Sequence, residues 1–192
     1  MKIWPVVLLL ILIALAYAYF TRSIPIIQPT ATPVPATVGS TVDFASTFIP
    51  YNDPAYNFSV QFPQVWYGAL TPGELSYMSF TGPSDSNGNI ESVLVFLLPG
   101  RITSTNVTST VGAMQAQFSD VNVSSTRQVS LPGAVAAWQI SSQVTAGNSR
   151  FLIEDLLVSC PAQSFEVTGL IPQELAAELP AVQYMLSTFQ CT

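Results

Sequence analysis

The longest apolar run of the chain is its beginning. From Ile3 to Phe20, IWPVVLLLILIALAYAYF, eighteen residues carry no charge. As a helix they rise about 27 Å, close to the roughly 30 Å of a bilayer core. From Thr21 to about Pro50 the hydrophobic period disappears, and Pro25, Pro29, Pro33 and Pro35 favour an extended, semi-rigid spacer over a helix. Alternation then sets in. Tyr56, Phe58, Val60 and Phe62 alternate with Asn57, Ser59 and Gln61, the period of a half-buried strand, and Pro63 ends that strand by removing a backbone donor. Trp66 starts a second run, which closes at TPGE, 71–74, and YMSF at 77–80 makes a third. Asn87-Gly88 is a hairpin signal ahead of SVLVFLL, 92–98. Val93 to Leu98 is apolar on both faces, which predicts a central strand covered on both sides.

Beyond Pro99-Gly100 the period changes. Val107, Val111, Met114 and Phe118 form one stripe of a helix. Further strands are predicted over 124–131, 135–144, 149–159 and 163–170, with turns at Leu131-Pro132-Gly133 and Ala146-Gly147-Asn148. Leu175, Leu179, Val182, Leu186 and Phe189 make a terminal helical stripe; Pro180 interrupts it, predicting a short first turn and a helix that starts near Pro180. Strands, helix, strands, helix predict an α+β domain: an antiparallel sheet packed with helices, an α/β/α sandwich behind an N-terminal transmembrane helix.

Composition narrows the function more than it defines it. Charged residues are 8% of the chain, against roughly 25% in an ordinary soluble protein. The formal net charge is -6 and the five cations, Lys2, Arg22, Arg101, Arg127 and Arg150, are scattered, which speaks against a nucleic-acid partner. The first twenty residues fit two readings. One is an uncleaved signal anchor, favoured by the length of the run and by the spacer behind it. The other is a signal peptide cleaved after Ala18, in the small-x-small sequence Ala16-Tyr17-Ala18, which releases a secreted protein. Either places the rest outside the cytoplasm, so the organisation is 1–20 anchor or signal, 21–50 linker, and 51–192 domain.

Chemistry is sparse. No histidine is present, which removes the usual general base, the commonest metal ligand and the Ser-His-Asp arrangement together. The one lysine is Lys2, and no nucleotide-binding or nucleophile-elbow motif occurs. Asp85-Ser-Asn87-Gly-Asn89 starts like a calcium loop, but Ile90 stands where glycine is needed and Phe96 where a bidentate glutamate is needed, so a plain turn is expected. Glu154 and Asp155 are adjacent on one strand and therefore point to opposite faces, so they do not share a proton or a metal. Glu154 is expected to pair with Arg127 or Arg150. Asn57, Asn106 and Asn122 head glycosylation triplets, close to the number chance gives in so Ser/Thr-rich a chain, and Asn57 is expected within a strand.

Tyr51, Asp53, Phe58, Val60, Phe62, Pro63 and Trp66, in the stretch YNDPAYNFSVQFPQVW, resemble the opening hairpin of PsbP-like domains. The chain departs from that pattern at Asn57, where the family usually has glycine, and at Phe62, where it usually has tyrosine. The resemblance covers about 51–192 and implies an extracytoplasmic accessory or assembly module with no shared catalytic site and no cofactor. On that basis the expected function is a membrane-tethered, non-catalytic binding or assembly module, with the membrane and a protein at its surface as partners. A structural or adhesive cell-surface protein is the alternative. The only two cysteines, Cys160 and Cys191, both lie in the exported part, which predicts a disulfide that clamps the terminal helix to the sheet; two unrelated buried thiols are the alternative.

Overall fold

The computed structural model describes residues 44–70 and 77–192. The expected membrane segment, 1–20, the spacer up to residue 43 and the TPGE turn lie outside them. Among the described residues no helix is long and apolar enough to cross a membrane. A helical turn, Phe44–Thr47, leads into β1 (Phe48–Asp53), β2 (Phe58–Pro63), β3 (Tyr67–Leu70), β4 (Met78–Thr81) and β5 (Ser92–Leu98). Helix α1 (Ser104–Gln117) precedes β6 (Asp120–Val129), β7 (Ala136–Ala146), β8 (Ser149–Ser159) and β9 (Ser164–Pro172). A 3-10 turn (Gln173–Glu178), helix α2 (Leu179–Ser187) and the short β10 (Gln190–Cys191) complete the chain.

The strands form two antiparallel sheets: a large one in the order β3-β4-β5-β9-β8-β7-β6, and a small one in the order β1-β2-β10. The predicted α+β class is therefore found. β5 lies inside the large sheet between β4 and β9, as its two-faced apolar run requires. Several expected boundaries move by a residue or two, and two move further. β6 begins at Asp120, ahead of the expected 124, and carries a bulge between Val123 and Ser125. β1 begins at Phe48, so residues 48–50, assigned to the spacer from their lack of period, belong to the sheet and pair with Gln61, Phe62 and Pro63.

Alternation along β8 and β9 divides the core. Leu156, Val158, Phe165 and Val167 face α2 and the small sheet, packing with Phe58, Val182, Met185 and Phe189. Leu157 faces the other way and packs with Ile140 of β7 and with Ile102, Val107 and Met114 of the α1 segment. Gly169 of β9 lets α2 approach closely: a Cβ there would run into Val182 Cγ1. The predicted α1 stripe is real, with Val107 and Met114 buried and Val111 and Phe118 partly so. Pro180 sits in the first turn of α2, where the expected helix start lies.

Candidate functional site

The family-like residues line the β1–β2 hairpin, with Asp53 and Phe58 at its turn end and Pro63 at the other end. Asp53 ends β1 and is buried. Its Oδ2 accepts the hydroxyls of Tyr51 (2.9 Å) and Tyr77 (2.8 Å), and its Oδ1 accepts the N–H groups of Ala55 (2.9 Å) and Tyr56 (2.8 Å). Burial raises the Asp53 pKa, but these bonds, led by Tyr77, outweigh it and hold the carboxyl below its ordinary range. Burial and the Asp53 carboxylate in turn push Tyr77 up to about 12 and Tyr51 upward as well. The cluster fixes the tight turn from β1 to β2. Asn57 lies in that turn at φ 55°, a left-handed conformation that asparagine tolerates and glycine prefers. The expectation that Asn57 sits within a strand is thus corrected: it is an exposed turn residue, and β2 starts at Phe58.

The apolar members of the motif join the two sheets. Phe58 stacks on Phe189 with ring centroids 5.3 Å apart and meets Phe165 of β9 at 5.1 Å. Phe62 meets Phe80 of β4 at 4.8 Å. The Pro63 carbonyl accepts the Trp66 N–H at 2.9 Å, a turn that carries the chain from the small sheet to the edge of the large one. Pro63 and Trp66 are both buried. These roles are structural.

Cys160 and Cys191 form a disulfide, with their Cα atoms 5.5 Å apart. The bond reaches further than the expected helix-to-sheet clamp, because Cys191 is itself in a strand: it pairs with Phe58 of β2, and its N–H donates to Pro132 O at 3.0 Å. It ties the end of β8, the small sheet and the 131–134 turn together.

The strand-face argument for Glu154 and Asp155 holds, but the partners differ from those expected. Glu154, on the α2 face, bonds neither arginine directly. Its Oε2 accepts Gln139 Nε2 (3.0 Å) and Ser141 Oγ (2.8 Å), and its Oε1 accepts Gln183 Nε2 (2.9 Å). Arg127 reaches Gln139 Oε1 instead, at 2.8 Å, so the guanidinium stays in solvent and an amide relays the contact. Asp155, on the α1 face, has an acidic neighbour that sequence reasoning missed. Its cross-strand partner on β9 is Thr168, and Glu166 lies two residues from Thr168 on the same face. Both acids are buried. Burial pushes Asp155 up to about 7, against a Thr168 hydrogen bond that lowers it and with the Glu154 charge adding to the rise. Burial, then the Asp155 charge, pushes Glu166 up to about 8. A third acid, Glu91, is buried over Gly82, with its carboxyl raised chiefly by burial.

Asp85 is engaged as a turn residue. Its Oδ1 accepts the N–H groups of Asn87 and Asn89, and its Oδ2 accepts the Asn89 side-chain amide. Gly88, at φ 82°, closes a three-residue hairpin loop. No group of three or more metal-ligating side chains occurs among the described residues. A shallow groove of about 410 Å³ runs between Leu97–Arg101 and Cys160–Ser164, with Arg101 as its one charged side chain.

No protein-family model and no curated protein matches the chain. Solved structures do, and they define the class as the PsbP-like α+β fold. LpqN of Mycobacterium tuberculosis, involved in cell envelope biogenesis, superimposes with a TM-score of 0.56 at 13% identity, covering 74% of this chain and 89% of its own. CyanoP, the cyanobacterial PsbP of Synechocystis sp. PCC 6803, gives a TM-score of 0.54 at 12% identity over 83% of this chain and 98% of its own. PA94, a protein of unknown function from Pseudomonas aeruginosa, gives 0.51 at 11% identity over 73% and 94%. At such identities the likeness bears on fold alone, and it agrees with the resemblance carried by Tyr51 to Trp66.

Proposed function

We propose that the protein is an extracytoplasmic, non-catalytic binding or assembly module, held at the membrane by residues 1–20. The observation that carries this reading is the Cys160–Cys191 disulfide in a PsbP-like domain, since such bonds persist in oxidising compartments. The polar residues of the motif support it from another side: Tyr51 and Tyr77 both donate to Asp53, and with the N–H groups of Ala55 and Tyr56 they occupy the four acceptor sites of its carboxylate. A PsbP and a protein of cell envelope biogenesis among the structural neighbours fit an accessory role.

The test is photo-crosslinking of the intact protein in its own membrane. Val65, just ahead of edge strand β3, and Tyr67, its first residue, are 78% and 72% exposed and are the positions for the reactive side chain. Capture of one discrete membrane protein complex supports the module. Crosslinks only to wall polymer or to copies of the chain favour the adhesive surface protein. Quantitative release of the protein by carbonate removes the anchor.

A further inference from the structure

The α1 face of the large sheet carries two carboxyl groups where an apolar core would ordinarily continue. Asp155 is the cross-strand partner of Ile140, and Glu166 is the cross-strand partner of Leu157. Ile140 and Leu157 are the sheet residues on which Val107 and Met114 of α1 rest. The acids therefore flank the seat of the helix. Asp155 is 3% exposed and Glu166 8% exposed, and Asp155 Oδ1 has no hydrogen-bond partner.

No cation among the described residues neutralises them. α1 contains no charged residue, and neither do β5 and β7 on either face. β9 supplies only Glu166 itself. On β8, Arg150 and Glu154 sit on the opposite face, the latter adding a negative charge that opposes ionisation of Asp155. Arg127 of β6 is bonded to Gln139 on that far face, and Arg101, ahead of α1, is exposed. Two buried carboxylates with no described cation in reach cannot both be ionised cheaply, so the closed molecule keeps at least one proton on the pair at neutral pH.

We propose that Asp155 and Glu166 form a proton-operated latch for helix α1: the helix seats on the sheet while the pair holds its protons, and their removal loosens it. The sign follows from linkage. Both carboxyls are raised when covered, to about 7 and about 8, from an ordinary value of about 4. Their contribution is fully present below the ordinary value, declines as pH rises, and is gone above the raised values. Lifting α1 hydrates the pair and releases the protons. The inference is independent of export or anchoring.

The experiment uses the full-length protein in detergent micelles between about pH 5 and about pH 9. Infrared spectroscopy reads the stretch of a protonated carboxyl group. Hydrogen exchange, corrected for its intrinsic pH dependence, reads opening of 104–117. The protonated band should persist at neutral pH and be lost in Asp155→Asn/Glu166→Gln. Opening of α1 should grow by up to about tenfold per pH unit for each carboxyl, levelling off near pH 8, and should stay flat in the double variant. No protonated band in the wild type at about pH 6, or an equal rise of opening in the double variant, overturns the latch. If the double variant does not fold, Glu166→Gln alone should lower the pH slope of opening, and an unchanged slope overturns it too.

Discussion

Removing the disulfide isolates its contribution, and the structure says both how much should be lost and where. Cys160 and Cys191 are separated by 31 residues. In the chain-entropy model a loop of that length is worth about 3.7 kcal/mol. For a domain of this size that lowers Tm by roughly 7–15 °C. The Cys160→Ala/Cys191→Ala protein, unfolded in urea beside the oxidised wild type, measures the difference. The loss should be uneven. Cys191 pairs with Phe58, and its N–H meets Pro132 O at 3.0 Å; the Thr192 N–H meets Asn57 O at 2.9 Å. Hydrogen exchange should therefore rise first at β10 and at the 131–134 turn, while β8 and β9, paired along their whole length, keep their protection. A loss below about 1 kcal/mol with β10 still protected would refute the reasoning. The C-terminal strand would then be held by Phe189 stacking on Phe58, and the bond would be redundant.

Three further outcomes follow. Asp53→Ala should cost about 3–5 kcal/mol by stranding two tyrosine hydroxyls and two backbone N–H groups, with Asp53→Asn milder. Because the Asp53 carboxyl is held below its ordinary range, its contribution is present above about pH 4 and is lost as pH falls through the folded value; acid titration of Asp53→Asn should show that loss flattened. Gly169→Ala should cost about 1–3 kcal/mol by driving Val182 off the sheet, with partial recovery in Gly169→Ala/Val182→Ala on a double-mutant cycle. Calcium and EDTA should leave Tm unchanged, since both Asp85 oxygens already accept bonds within their own turn; a reproducible rise with calcium would show the turn to be a binding loop.

Local features of the fold were legible because single residues decide them. Phe58, Val60 and Phe62 point inward at period two, Pro63 can only end a strand, and Pro180 can only start a helix. The departure at Asn57 also had a local reason, its positive φ, which sequence alone hinted at through the missing glycine. Features set by distant pairing were not legible. β10 is two residues long and exists because it lies beside β2 and is bonded to Cys160. Glu166 in Ser-Phe-Glu-Val-Thr alternates with apolar residues, a pattern that an ordinary half-buried strand also shows. It is buried on the face where the α1 segment, more than forty residues earlier, packs on its cross-strand partner Leu157. One signal was available: counting outward from the Cys160–Gln163 turn pairs Ser159 with Ser164 and hence Leu157 with Glu166, which sets Asp155 beside it.

Where the acids lie also revises what the acidic sequence implies. The formal charge of -6 suggests a negative surface. Nine of the eleven acidic residues, all but Asp43 and Glu74, are among the described residues, and five of them, Asp53, Glu91, Glu154, Asp155 and Glu166, are buried. The three described arginines, Arg101, Arg127 and Arg150, are all exposed. The described surface thus sets four carboxylates, Asp85, Asp120, Glu174 and Glu178, against three guanidinium groups, close to neutrality. Inside, hydroxyls and amides satisfy Asp53 and Glu154, and burial raises the carboxyls of Asp155 and Glu166 so that they hold protons more tightly. An arginine brought in to pair with them would itself need desolvation, whereas a tyrosine or glutamine supplies the hydrogen bond without a second buried charge. Exposed charges this few and this nearly balanced give a partner little to pair with directly at the described surface. If the protein acts as the proposed binding module, recognition would then rest on contacts at short range, and its association rate should change little with salt. A steep salt dependence of partner capture would place the recognition surface on residues outside the described domain, or on one of its few exposed charges.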